Sequence, residues 1–253
     1  MDSFIKYEEN SLLKFDIKLG CLVTFLGSGN DKIISNLTSF NNENILINNI
    51  MCTSKNFYKI IKYISFVRKK EIDIFLGETV GDCIAFGLEN KAISKKEMLI
   101  KINEFSNAFG LTSLLDKDPY SLGISDKVKV KIVSALVLKP KVLVLDNVLD
   151  DLDYDDYLLV TKEIKEYIDN NNIVLNFTNE IEHSLLGSRI IIASDDKIII
   201  DGETILVLKE EKLLKRLGIG FPFIIELNSY LLDYGLINNY ILDIESLVKH
   251  LWK

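Results

Sequence analysis

Residues 119–153 read PYSLGISDKVKVKIVSALVLKPKVLVLDNVLDDLD. Apolar residues between Ser125 and Val137 recur at helical spacing, which predicts a helix there. Pro140 bars its continuation, because proline has no N–H for the helical ladder. Lys141–Leu145 follows as an apolar run of strand length that ends on Asp146. A run with no polar alternation predicts a strand buried on both faces, as in a parallel sheet. A Leu-Asp pair, Leu152-Asp153, closes the stretch.

Outward from this stretch, strands alternate with helices. Phe15 and Ile17, then Leu22–Leu26, predict two strands joined at Gly20. A turn, Gly27-Ser28-Gly29-Asn30-Asp31, leads into a helix over Lys32–Phe40 with Ile33, Ile34 and Leu37 on one face. Residues 92–135 read as mostly helical, in two pieces, Glu97–Phe109 and Ser125–Val137. Tyr157–Tyr167 is an amphipathic helix, and Ile173–Phe177 and Arg189–Ala193 are buried strands. Lys197–Ile200 and Thr204–Leu208 read as a hairpin around Asp201-Gly202, a strong turn dipeptide. Glu211–Lys253 is helical and amphipathic. The alternation predicts an α/β fold, a mainly parallel sheet with both faces covered.

Composition narrows the class. The 253 residues suit one large domain or two small ones, at about 100–200 residues per domain. With 48% hydrophobic and 26% charged residues the chain is globular, not disordered. A net charge of −7 argues against a nucleic-acid partner and against attraction to anionic lipid. The opening MDSFIKYEEN has neither a basic region nor an apolar one, so no secretory leader is expected. The apolar runs are too short to span a bilayer, so no direct membrane insertion is expected. Only His183 and His250 are available as imidazoles, too few for a histidine-rich zinc site. Cys21, Cys52 and Cys83 fit neither a disulfide framework nor a C-x-x-C pair and read as reduced thiols. The acidic run Asp150, Asp151, Asp153, Asp155 and Asp156 lacks the spacing and turn glycine of a calcium loop and reads as a solvated loop.

The order of signals in 119–153 resembles, without a gap, the stretch from signature loop to Walker B in ABC transporter ATPases. Pro119, Leu122, Lys127, Pro140, Val142–Asp146, Leu152 and Asp153 fall in register. ETVGDCIAFGLEN (Glu78–Asn90) looks like the segment after the Q-loop in the energy-coupling factor branch, whose members import vitamins and metal ions. KLLKRLGIGFPFIIELNSYLLDYGL (Lys212–Leu236) is similar to that branch's C-terminal helices, and the resemblance covers nearly the whole chain. It implies a RecA-like P-loop NTPase core in one domain over 1–253. A helical subdomain would be inserted at about 70–137, and a C-terminal helical extension would cover about 209–253. It also implies a dimer that sandwiches ATP head to tail.

Against that pattern the reacting positions depart one by one. The family's phosphate loop is Gly-x-x-x-x-Gly-Lys-Ser/Thr, whose lysine pairs with phosphate and whose hydroxyl holds Mg²⁺. With Gly27-Ser28-Gly29 aligned, the lysine becomes Asn30 and the hydroxyl Asp31. This register matches the apolar helix face. With Lys32 aligned instead, the hydroxyl becomes Ile33, and Lys32 is then a candidate phosphate contact. In either register the hydroxyl is lost. Asp31 is expected to cap the following helix in place of phosphate. Asp146 keeps the Walker B acid and with it a place beside a metal-bound water. The catalytic glutamate after it is Asn147, and an amide takes no proton. The switch histidine aligns with Asn179, which has no cation to offer. His183 nearby reads as a bland surface or boundary residue. The Q-loop glutamine aligns with Lys69, which has no acceptor for Mg²⁺ and so is no ligand. The signature Leu-Ser-Gly-Gly-Gln reads Leu122-Gly123-Ile124-Ser125-Asp126, with Ile124 where a glycine admits backbone to the γ-phosphate. Tyr7 is a candidate adenine-stacking ring or plain packing, and Asp153 lies in the dimer loop.

These departures predict a degenerate, catalytically inactive ATP-binding subunit of an energy-coupling factor importer, with no required cofactor and weak ATP and Mg²⁺ binding. Its partners would be another ABC ATPase subunit and a transmembrane coupling protein, at the cytoplasmic face of the membrane. A slow but functional ATPase and a soluble adaptor are the alternatives. For the coupling helix, Phe66, Val67, Phe75, Leu76 and Phe86 are the expected groove floor, or else core beneath the helical subdomain, since pattern alone does not separate the two. Glu71, Asp73, Glu78 and Asp82 are its expected acidic rim.

Overall fold

The computed structural model describes residues 3–91, 93–242 and 244–252. The chain opens with strands β1 (Ile5–Glu8), β2 (Lys14–Ile17) and β3 (Cys21–Leu26), followed by helix α1 (Asn30–Ser39). Strands β4 (Asn41–Ile47) and β5 (Ile50–Thr53), helix α2 (Phe57–Ile60) and strand β6 (Ile64–Arg68) come next. Helices α3 (Val80–Glu89), α4 (Lys95–Ala108) and α5 (Ile124–Leu136) separate β6 from β7 (Val142–Asp146). Then come α6 (Tyr154–Asp169), β8 (Ile173–Phe177), β9 (Arg189–Ser194) and β10 (Lys197–Glu203). Helices α7 (Thr204–Leu208), α8 (Glu211–Arg216), α9 (Phe223–Asp233) and α10 (Ile244–Leu251) complete the described chain.

The six-stranded sheet has the order β10-β9-β3-β8-β7-β6. All its pairings are parallel except β9 with β10. The apolar runs of β7 and β8 lie inside this sheet, because each of their faces is covered. Leu143, Leu145 and Val174 point into a core shared with α3, α5 and α6. Val142, Val144, Leu175 and Phe177 point the other way, against α1 and the amino-terminal strands. Strand alternation thus divides one continuous run between two cores.

The two predicted strands joined at Gly20 form, but they enter different sheets. β2 belongs to a four-stranded antiparallel sheet, β2-β1-β4-β5, that roofs the parallel one. The sequence reading missed that sheet because Asn41–Ile47 carries too many asparagines for a clear alternation. Its turn signal is present all the same. Asn48 and Asn49 both take positive φ, 51° and 60°, which asparagine tolerates better than most residues.

The hairpin expected around Asp201-Gly202 does not form. β10 runs unbroken through Gly202, which pairs with Ile190. The reversal comes earlier, between β9 and β10, with Asp195 at φ 53°. Thr204 then starts a helix, its Oγ1 donating to Gly187 O at 2.6 Å. Thr204, Val207 and Leu208 are buried on that helix, a spacing of three and four that is helical and not strand-like. Among the described residues the C-terminal segment is helical in three pieces that pack on β9 through Ile190 and Ile192.

Candidate functional site

The glycine turn after β3 is closed against the end of β9. Gly29 N–H donates to Ala193 O at 3.1 Å. Asn30 N–H turns back to Gly27 O at 3.3 Å, and Ser28 Oγ lies 3.3 Å from Ser194 Oγ. A Cβ on Gly29 would meet Ala193 Cβ at 2.8 Å, and one on Gly27 would meet Ala193 O at 2.3 Å. Glycine is therefore needed at both positions for backbone to touch backbone, and the neighbour is this chain's own strand.

Helix α1 begins at Asn30, with Ile33, Ile34 and Leu37 buried as expected. Asn30 is buried, its Nδ2 donating to Phe25 O at 3.1 Å and to Thr178 O at 3.5 Å. Among the described residues its Oδ1 has no partner. The expected cap by Asp31 is not made. Gly29 occupies the N-cap without any side-chain bond, and Asp31 lies exposed in the first turn. There its charge still faces the positive end of the helix. Lys32 points away from the turn, 2.5 Å from Asp196 Oδ1 and 3.5 Å from Glu9 Oε1. The Asp196 hydrogen bond holds its ammonium above the ordinary lysine range.

Tyr7 is only 1% exposed. Its ring stacks on Phe15 at 4.6 Å, and its hydroxyl accepts from Asn36 Nδ2 at 2.8 Å. Burial, the largest cause, pushes its pKa up to about 12. The buried, Phe15-stacked ring packs in the core, the second of the two roles expected for Tyr7.

At the carboxyl end of β7, both oxygens of Asp146 are engaged. Oδ2 lies 3.4 Å from Arg68 Nε, and Oδ1 accepts from Asn147 Nδ2 at 3.2 Å. Asn147 takes φ 53° and donates its N–H to Phe177 O at 2.9 Å, while its Oδ1 is buried without a partner. Lys69 Nζ lies 2.8 Å from Asp151 Oδ1, a hydrogen bond that raises the lysine pKa. Asn179 is exposed. His183 is more than a bland boundary residue. Its ring stacks on Tyr157 at 5.2 Å, and its Nδ1 lies 3.2 Å from Asp150 Oδ1. The imidazole holds the Asp150 carboxyl below its ordinary range, against the opposing effect of burial.

The signature-like segment is tied to the loop after β7 within the chain. Gly123 is the N-cap of α5 and has no side-chain bond. Leu122 packs on the α3–α6 core, while Ile124 is 48% exposed. Ser125 Oγ donates to Asp156 Oδ2 at 2.5 Å and accepts from Asp153 N–H at 3.3 Å. Asp153 caps α6, its side chain accepting from Asp156 N–H at 3.0 Å. Lys129 lies 2.9 Å from Asp126 Oδ1 and 2.7 Å from Asp156 Oδ1. Burial opposes its charge, but the two carboxylates hold its ammonium above the ordinary range.

Between α3, α5 and the segment 71–76 lies a groove of about 420 Å³ lined by Glu71, Ile74, Phe75, Leu76, Cys83 and Phe86 among others. Ile74, Leu76 and Phe86 are 56, 61 and 42% exposed. Two expected floor residues are elsewhere. Phe66 packs under the amino-terminal strands, and Val67 is core. The rim is mixed in charge, not purely acidic, because Lys127 pairs with Asp73 at 2.7 Å and Lys131 lies 4.5 Å over the Phe75 ring.

Sequence reading also missed Arg68, Lys129 and Ala193. A signal for Arg68 existed: a cation at the end of one parallel strand is a register neighbour of the acid at the end of the next, and Arg68 pairs directly with Asp146.

Comparison with known proteins places the chain. The energy-coupling factor transporter ATP-binding protein EcfA1 of Mycoplasmopsis synoviae is 30% identical over 226 residues, covering 87% of this chain and 85% of that protein. This chain belongs to the energy-coupling factor transporter ATP-binding family. The family's protein of the same name from Lactobacillus delbrueckii subsp. bulgaricus is 28% identical over 254 residues, covering 95% of this chain and 89% of its own. Among solved structures, cbiO1 from Clostridium perfringens, described as part of the ABC transporter complex cbiONQ, superposes with a TM-score of 0.71. At 21% identity it covers 90% of this chain and 100% of its own. The fold is thus the α/β P-loop NTPase fold of ABC ATPases, as the 119–153 resemblance implied. No protein-family model matches the chain.

Proposed function

We propose that this chain is a degenerate member of its family, a subunit that neither binds magnesium nucleotide productively nor hydrolyses it. One observation carries the reading. The N–H of Gly29, which a phosphate cradle would direct at a ligand, is bonded to Ala193 O, and the glycine turn leaves no room for a Cβ above that strand. The residues present do not fit a magnesium nucleotide. Asp31 follows the turn where the family has a hydroxyl, and the unpartnered Asn30 Oδ1 is an acceptor that phosphate oxygens cannot satisfy. Asn147 supplies no general base, a group worth about 10²–10⁴ in rate. Ile124 would meet the nucleotide held by a partner subunit, so the half-site lent to that partner is altered too.

The role is then structural or regulatory, beside an active ATPase subunit and a transmembrane coupling protein at the cytoplasmic face of the membrane. In this reading residues of about 70–137 form the helical subdomain and those of about 209–253 the extension. The exposed Ile74, Leu76 and Phe86 suit the apolar face of a coupling helix, with Glu71 at the rim for a basic residue. Among the described residues no helix is long and apolar enough to cross a membrane, so membrane attachment would come through partners. The test is turnover. Purified protein should hydrolyse ATP no faster than an Asp146→Asn variant. Turnover that this substitution abolishes would overturn the reading and favour a slow, functional ATPase.

A further inference from the structure

We infer that Arg68 and Lys69 take the electrostatic place of the divalent cation that the family's site would hold. A guanidinium and an ammonium bring two positive charges, the charge of one Mg²⁺, and both come from consecutive residues at the end of β6. Arg68 Nε lies 3.4 Å from Asp146 Oδ2, and Lys69 Nζ lies 2.8 Å from Asp151 Oδ1. The first pair is well shielded, its side chains 16% and 13% exposed. Direct register of Arg68 with Asp146 on neighbouring parallel strands fixes the contact through the backbone. Mg²⁺ binds through one or two carboxylates and retained waters at about 2.0–2.1 Å, a distance that the guanidinium denies to Asp146. Among the described residues no group of three or more His, Cys, Asp or Glu side chains is arranged to hold a metal ion.

The replacement also links two surfaces. Arg68 Nη1 lies 3.3 Å from Glu71 Oε1, and Glu71 lines the groove beside α3. Lys69 holds the turn Leu149–Asp151 after β7. The groove and the loop after β7 are thereby tied together by charges that need no metal, so their relative position is independent of metal and nucleotide.

This inference rests on the nucleotide-independent reading for its purpose but not for its test, which uses metal alone. Mn²⁺ binding to the full chain is followed by the electron paramagnetic resonance of free Mn²⁺ without nucleotide. Wild type should leave the free signal unchanged at millimolar Mn²⁺. Arg68→Gln/Lys69→Gln frees Asp146, Asp151 and the unpartnered Asn147 Oδ1, all oxygen donors, and should bind Mn²⁺ at least tenfold more tightly. Adding Asp146→Asn to that variant should abolish the gain. Should the double variant misfold, Arg68→Gln alone, which releases Asp146, is read the same way with a smaller gain. Wild-type binding equal to that of the variants, or a folded double variant with no gain, would overturn the inference.

Discussion

Lys129 sits between two carboxylates of different elements, 2.9 Å from Asp126 and 2.7 Å from Asp156. It joins the start of α5 to the start of α6, and its side chain is only 7% exposed. Removing it leaves Asp126 and Asp156 facing each other with no counter-charge. Breaking one side of a shielded ion pair costs about 3 kcal/mol, so Lys129→Met should lower the melting temperature by several degrees. The folded pKa of Lys129 is raised above 10.5. Its contribution is therefore complete below that value and is lost only as pH rises through the higher folded one. The gap between wild type and variant should stay constant from about pH 6 to pH 9, which denaturant melts at both ends will check.

Gly29 tests the closed turn without backbone strain, because its φ is −77°. Gly29→Ala presses a Cβ to 2.8 Å from Ala193 Cβ and should cost about 1–3 kcal/mol. Adding Ala193→Gly removes the opposing methyl and should recover part of that loss, a coupling that a double-mutant cycle measures. Independent effects that simply add would mean that the turn does not rest on β9.

Asp150 gives an acid signature. Beside His183 its carboxyl is held below the ordinary 3.8. Its contribution to stability is present above that value and disappears as pH falls through the lower folded one. His183→Ala should destabilise the protein near pH 5, and the difference from wild type should shrink below about pH 3.8. Acid unfolding curves of the two proteins provide the comparison.

The parallel sheet was legible because β7 and β8 are short apolar runs between helical patterns, and residues 119–153 gave the order of the site along the chain. The amino-terminal sheet was hidden by polar residues in β4, and α7 was hidden by five residues whose spacing suits two periods. At the site, Asn147, Asn179 and Lys69 were named through the resemblance to ABC transporter ATPases, and each lies just beyond the end of a strand of the parallel sheet. What each side chain touches was not legible. Tyr7 stacks on Phe15 from a neighbouring strand, and Gly29 bonds to Ala193, which is 164 residues away (193 − 29). Pairings of that separation depend on sheet order, which no local pattern encodes.

In the proposed reading the glycine turn of this chain holds its own strand β9 in place of a phosphate. Isothermal titration of Mg-ATP into the full chain tests it most directly. No saturable heat is expected up to millimolar nucleotide. A one-to-one isotherm with a micromolar Kd, weakened by Gly29→Ala and absent with AMP, would contradict it.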